Sequence, residues 1–135
     1  DLIEFDNDYF AGKVGVTALR NANFTIQNSD LLIVLGSRVD NVITAYNPKR
    51  FAKNAKKIIV EVDKNEVENS QINYDEVIIG NLKDFFIQLE KEIDKIDGYR
   101  KPWIHKCNNL KYKYRVENEF DFSKVDGFSH FEFAN

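Results

Sequence analysis

With 135 residues, one cysteine and a net charge of −3, the chain is long enough for one modest domain with a core of its own. Nineteen Lys and Arg are scattered among 22 Asp and Glu, which excludes the basic footprint of a nucleic-acid surface. Lone Cys107 excludes an internal disulfide and fits a reducing compartment, and no apolar run approaches the roughly 20 residues that span a bilayer.

Residues 1–15 mix polar and aromatic side chains with glycines and show no period, which predicts a surface loop. From Thr17 to Gln27, Ala18, Ala22 and Ile26 recur at helical spacing and predict a short helix. Leu31-Leu32-Ile33-Val34-Leu35 follows without polar interruption. Such a run predicts a parallel strand buried on both faces. It stops at Gly36, where a glycine permits a sharp turn or close approach of a ligand. Ser37 and Arg38 come next, at the carboxyl end of the strand, the end where open parallel sheets bind ligands. A plain turn would place a glycine there too.

Asn47-Pro48 carries the signature of a helix start, with Asn47 as cap and Pro48 in the first turn. Phe51, Ala52 and Ala55 would then face the sheet. Ile58-Ile59-Val60-Glu61-Val62 predicts a second buried strand, and Asp63-Lys64-Asn65-Glu66 the turn that leaves it. Val77-Ile78-Ile79 predicts a third strand, closed by Gly80. The three strands should be parallel neighbours in one sheet.

Asn81 caps the clearest helix, with Asp84 in its first turn. Leu82, Phe85, Phe86, Leu89, Ile93 and Ile96 form its apolar stripe, and Gly98 supplies a left-handed end. Phe85, Leu89 and Ile93 should be buried against the sheet. Trp103, Cys107, Leu110 and Tyr114 make another helical stripe. Glu117 to Asn135 holds more phenylalanine than free coil tolerates and reads as a linker that packs on something. Three strands make a thin sheet, and the first residue is Asp1 rather than Met. Both features suit a piece of a longer polypeptide.

The remaining chemistry is sparse. His105 and Cys107 lie two apart on a predicted helix and point in different directions, so they make a poor metal pair. Asp6-Asn7-Asp8 lacks the ligand spacing and glycine of a calcium loop. Two histidines, neither near a strand end, give no Ser/His/Asp set. Asn23-Phe24-Thr25 matches a glycosylation acceptor, a triplet that arises often by chance.

The signals occur in a telling order. Gly12-Lys13-Val14-Gly15 is followed by Asn21-Ala22-Asn23 and by Ser29-Asp30-Leu31-Leu32-Ile33-Val34-Leu35-Gly36-Ser37-Arg38-Val39-Asp40. Then come Phe51 through Asp63, and Val77-Ile78-Ile79-Gly80-Asn81. Over roughly residues 10 to 110 this series resembles the central domain of thiamine-diphosphate-dependent enzymes of the acetolactate synthase group. The resemblance implies an α/β fold, a Rossmann-like parallel sheet flanked by helices of the DHS-like NAD/FAD-binding type, incomplete here. It implies a central domain over residues 1–116, its N-terminal part missing. Residues 117–135 become a linker toward a C-terminal thiamine-diphosphate-binding domain.

The parent protein would be a cytoplasmic homo-oligomer that decarboxylates or ligates 2-oxo acids with thiamine diphosphate and magnesium. In that family the catalytic glutamate lies in the first domain, and the Gly-Asp-Gly motif for metal and diphosphate in the last. Neither is in this sequence, so no catalytic or metal residue is assigned and the segment by itself should be inactive. Some family members bind flavin or an adenine nucleotide in the central domain. The matching positions are Gly36, Ser37 and Arg38 after the first strand, Asp63 after the second, and Gly80 and Asn81 after the third. Asp63 would accept from a ribose or adenine edge of FAD or ADP; in many family members the domain binds nothing and serves as a spacer and assembly element. The flavin-holding pattern Arg-Phe-Asp-Asp-Arg is here Arg38-Val39-Asp40-Asn41-Val42, without its second arginine, and Gly80-Asn81 replaces Gly-Asp. The alternative is an independent nucleotide-binding Rossmann-like module of the sirtuin-type NAD fold. It would need a Gly-x-Gly-x-x-Gly turn after a strand, and Gly12 and Gly15 follow none.

Overall fold

The computed structural model describes residues 3, 4, 6–95, 100–115, 118 and 121. Four α-helices and three strands are placed: α1 (Arg20–Gln27), β1 (Leu31–Leu35), β2 (Lys56–Glu61), α2 (Lys64–Glu68), β3 (Glu76–Ile79), α3 (Leu82–Glu92) and α4 (Lys101–Lys113). The strands form one parallel sheet in the order β1-β2-β3, as their branched apolar runs predict. Ile33 pairs with Ile58, and Ile59 with Val77. β2 starts earlier than its apolar run, at Lys56, and ends at Glu61, leaving Val62 outside the strand and exposed.

Side chains alternate across a sheet, and residues paired in a parallel ladder share a face. Leu32, Val34 and Ile59 therefore look one way. Leu31, Ile33, Leu35, Ile58 and Val60 look the other. The core proper is Phe51, Ala52, Ala55 and Ile72, with Leu32, Val14 and Ile26 packed against it. Its residues come from the β1–β2 connection and from the approach to β3.

The second face is covered unevenly. α3 packs on β2, and Ile78 shares a groove with Phe85 and Leu89. Val60 is fully buried, yet Leu31, Ile33 and Leu35 are 47%, 43% and 37% exposed. The expectation that β1 is buried on both faces is thus corrected. Only Val34 of β1 is buried, because the helical cover of the second face sits over β2 rather than β1. β3 is an edge strand, and all four of its residues are exposed.

Several local expectations also shift. The first helix begins at Arg20 rather than Thr17, because Leu19 is extended with ψ 147°. No α-helix follows Asn47-Pro48. Pro48–Arg50 make a single 3₁₀ turn, Asn47 gives no side-chain cap, and Ala52 is left-handed at φ 43°. Phe51, Ala52 and Ala55 are nonetheless buried. Asp63 to Glu66 is not a bare turn. Asp63 Oδ1 accepts from the Asn65 N–H at 2.8 Å and caps α2.

α3 starts as predicted, with Asn81 Oδ1 accepting from the Lys83 N–H at 2.8 Å. Phe85 and Leu89 are only half-buried, and Ile93 is exposed. The α-turns end at Glu92, and Ile93 lies in the 3₁₀ turn Ile93–Lys95, so it leaves the inward stripe. Ile96 and the cap expected at Gly98 lie outside the described residues, as does most of the 117–135 linker. α4 packs on α1 with Cys107 buried, and the Phe24 and Tyr114 rings stand 4.9 Å apart between centroids.

Candidate cleft at the strand ends

The carboxyl ends of β1 and β2 open into a cleft of about 350 Å³, where parallel sheets characteristically bind ligands. Ser37, Arg38 and Asn41 line it from the loop after β1, Ile59 and Glu61 from β2, and Glu66 from α2.

The loop is held from within. Gly36 is left-handed at φ +52°, and its N–H donates to the Val60 carbonyl at 2.9 Å. A Cβ at Gly36 would meet Leu82 Cδ1 at 2.9 Å. The left-handed backbone thus favours glycine, and a Cβ there would push aside the end of the Leu82 side chain. Asp40 turns one carboxylate oxygen onto the N–H groups of Val42 and Ile43, at 2.9 and 3.0 Å. Further in, the Asp40 carbonyl accepts from the N–H of buried Thr44 at 3.0 Å.

Arg38 and Glu66 meet across the cleft. Arg38 Nε donates to Glu66 Oε2 at 2.6 Å, and Nη2 donates to Oε1 of the same carboxylate. This is the forked geometry that guanidinium groups offer to carboxylates and phosphates alike. The hydrogen bond to Glu66, then its charge, raise the Arg38 pKa, and Asp40 and Asp63 add smaller contributions. On the cleft wall, Tyr74 is held above the usual phenol range by burial first, with the charge of Glu61 adding to it.

The six sequence-predicted binding residues do not converge. Ser37 and Arg38 line the cleft, and Gly36 lies at its root against α3. Asp63 is exposed and caps α2. Gly80 and Asn81 line a separate groove with Phe85 and Leu89. Glu61, Glu66 and Tyr74 were missed as cleft residues. Glu66 had a legible signal, since Asp63 three residues before it is the spacing of a helix cap and its partner.

The groups implied by family resemblance can be tested against these side chains. A nucleotide diphosphate would need the Arg38 fork, which Glu66 fills. Among the described residues, no group of three or more His, Cys, Asp or Glu is gathered as a metal would require. His105 is exposed and Cys107 buried, on different sides of α4. Gly12 and Gly15 lie in the loop before α1, not after a strand, as expected of a chain without the dinucleotide fingerprint. No helix among the described residues is long and apolar enough to cross a membrane.

Comparison with known proteins gives a consistent answer. The family model for the thiamine pyrophosphate enzyme central domain matches residues 1–89. The chain is 32% identical over 110 residues to a probable acetolactate synthase large subunit of Methanococcus aeolicus, covering 74% of this chain and 18% of that protein. It is 30% identical over 121 residues to the acetolactate synthase large subunit of Cyanidium caldarium, covering 85% and 20%. It is 28% identical over 109 residues to the acetolactate synthase isozyme 2 large subunit of Escherichia coli (strain K12), covering 81% and 19%. The chain thus spans about a fifth of the length of these relatives.

Proposed function

Because the chain belongs to the thiamine pyrophosphate enzyme central-domain family, we propose that it serves as the non-catalytic central domain of a thiamine-diphosphate-dependent enzyme resembling the acetolactate synthase large subunit. The parent enzyme acts on a 2-oxo acid by carboligation or decarboxylation. The observation that carries this reading is the match over residues 1–89, together with relatives that are acetolactate synthase large subunits. Its partners are the flanking domains of the parent chain, within a cytoplasmic homo-oligomer. Thiamine diphosphate and magnesium, which supply the chemistry of the parent, are held by those flanking domains.

The thin sheet supports a positioning role. One face of β1 and the whole of β3 leave apolar side chains exposed, as suits a domain that packs against more protein than these residues contain. Of the proposed nucleotide contacts, Ser37 and Arg38 are the two that line the cleft.

Calorimetry of the 135-residue chain with thiamine diphosphate and magnesium tests the reading, alongside an assay of pyruvate turnover. The expected result is no turnover and no tight binding. Micromolar binding of thiamine diphosphate would overturn the non-catalytic assignment.

A further inference from the structure

The cleft has the location of a ligand site and the wrong occupant for a nucleotide. Glu66, Asp40 and Asp63 act on Arg38 and Glu61 lines the same cleft; all but Glu66 are committed elsewhere. Asp40 accepts from the N–H groups of Val42 and Ile43, Glu61 from those of Val62 and Asp63, and Asp63 from that of Asn65. Glu66 gives one oxygen to Nε and the other to Nη2 of Arg38. A phosphate would approach the same two donors with the same fork spacing. Glu66 sits on a helix that Asp63 caps, so the carboxylate is delivered by ordered backbone.

We propose that Glu66 is a specificity-determining residue that occupies the phosphate position of the cleft and excludes adenine nucleotides from it. The inference rests on reading the strand-end cleft as the place where Ser37 and Arg38 would meet a nucleotide phosphate. A diphosphate must first displace Glu66, then remain beside an unpaired carboxylate and the charges of Asp40 and Glu61. Repulsion between like charges at such range works against it. A neutral nucleoside makes no demand on the fork and is not selected against by Glu66.

The test is titration of the 135-residue chain with ADP and, separately, with adenosine. Wild type is compared with Glu66→Gln, Glu66→Ala and the double variant Glu66→Gln/Arg38→Ala, each checked for an unchanged far-ultraviolet spectrum. Two single variants are used so that poor folding of one does not stop the comparison. Release of the fork should tighten ADP binding by about two- to fivefold, the scale of an exposed ion pair. Adenosine binding should not change, and the gain should vanish in the double variant. Equal ADP affinity in wild type and both single variants, no ADP binding in any of them, or an equal gain for adenosine would each overturn the proposal. The titrations contain neither thiamine diphosphate nor magnesium. Their failure therefore leaves the central-domain reading intact, while that reading fails only in its own cofactor titration.

Discussion

Asn23 joins its side-chain amide to both backbone groups of Gly15. Its Oδ1 accepts from the Gly15 N–H at 3.0 Å, and its Nδ2 donates to the Gly15 carbonyl at 2.9 Å. Gly15 is held at φ +134°, and the N–H of Val16 donates to the Val42 carbonyl at 3.1 Å. The pair thus ties α1 to the loop before it and, through Val16, to the loop that frames the cleft. Replacing Asn23 with Ala removes both bonds and leaves part-buried backbone groups unmet, for a loss of about 1–3 kcal/mol. Urea denaturation should show the lower midpoint, and an unchanged midpoint would contradict the role. Asn23→Asp keeps the acceptor alone and should fall between the two.

Gly36 offers a sharper test. Gly36→Ala meets two penalties, a left-handed backbone and contact with Leu82 Cδ1. The conformational part costs about 1–2 kcal/mol and the steric part adds to it. Leu82→Ala in the same chain should relieve only the steric part. A thermal-melt double-mutant cycle should therefore show a coupling between the two positions. Strict additivity would mean that the contact is not felt.

Much of the fold could be read from the chain, and the exceptions have physical causes. The three strands and the cap at Asn81 follow from branched apolar runs and a side chain suited to capping. Residues 47–55 misled because burial there comes without periodicity: Phe51, Ala52 and Ala55 are buried by a turn in which Ala52 is left-handed. An uninterrupted apolar run looks the same whether one face of a strand or both are covered, so the exposure of Ile33 had no signal. The cleft was half legible. Ser37 and Arg38 follow a strand end, whereas Tyr74 reaches the same space from a segment with no motif. Glu66 follows a capping Asp63 by three residues, a helix signal that the same polar run shares with a turn.

The short helix α2 depends on its cap. Asp63→Ala should cost about 0.5–2 kcal/mol, since the Asn65 N–H loses its acceptor. Because α2 carries Glu66, the Arg38 fork should loosen as well. Asp63→Asn retains a capping oxygen and should recover most of the loss. If Ala and Asn variants melt together, the cap is not what holds α2.

Tyr74 makes a prediction about alkaline pH. Its folded-state pKa is raised, mainly by burial. Its share of stability is therefore complete below the unfolded-state value of about 10 and is lost as pH rises through the raised folded value. Urea midpoints followed upward from neutrality should fall in that window. Tyr74→Phe should flatten this part of the fall, and an identical decline in both proteins would count against it.

Cys107 is buried in α4, and burial pushes its thiol up from the ordinary range. The native chain should react slowly with a thiol reagent near neutral pH, and at once after denaturation. Rapid native labelling would mean that α4 opens from α1 far more often than its packing indicates.

The docking of α4 on α1 also joins the two ends of the described sheet region. β1, β2 and β3 pair successive segments of the chain, with only one connection between neighbours. α4 instead returns to the beginning: Lys111 Nζ donates to the Asn7 carbonyl at 3.3 Å across a separation of 104 residues. Contacts so remote close a long loop and should form late, after the entropy of the intervening chain has been lost. The same closure lets Asn108 Nδ2 of α4 donate to Asp8 Oδ1 at 3.4 Å, so one face of α4 clasps the segment before α1 at two points 100 or more residues away in the chain.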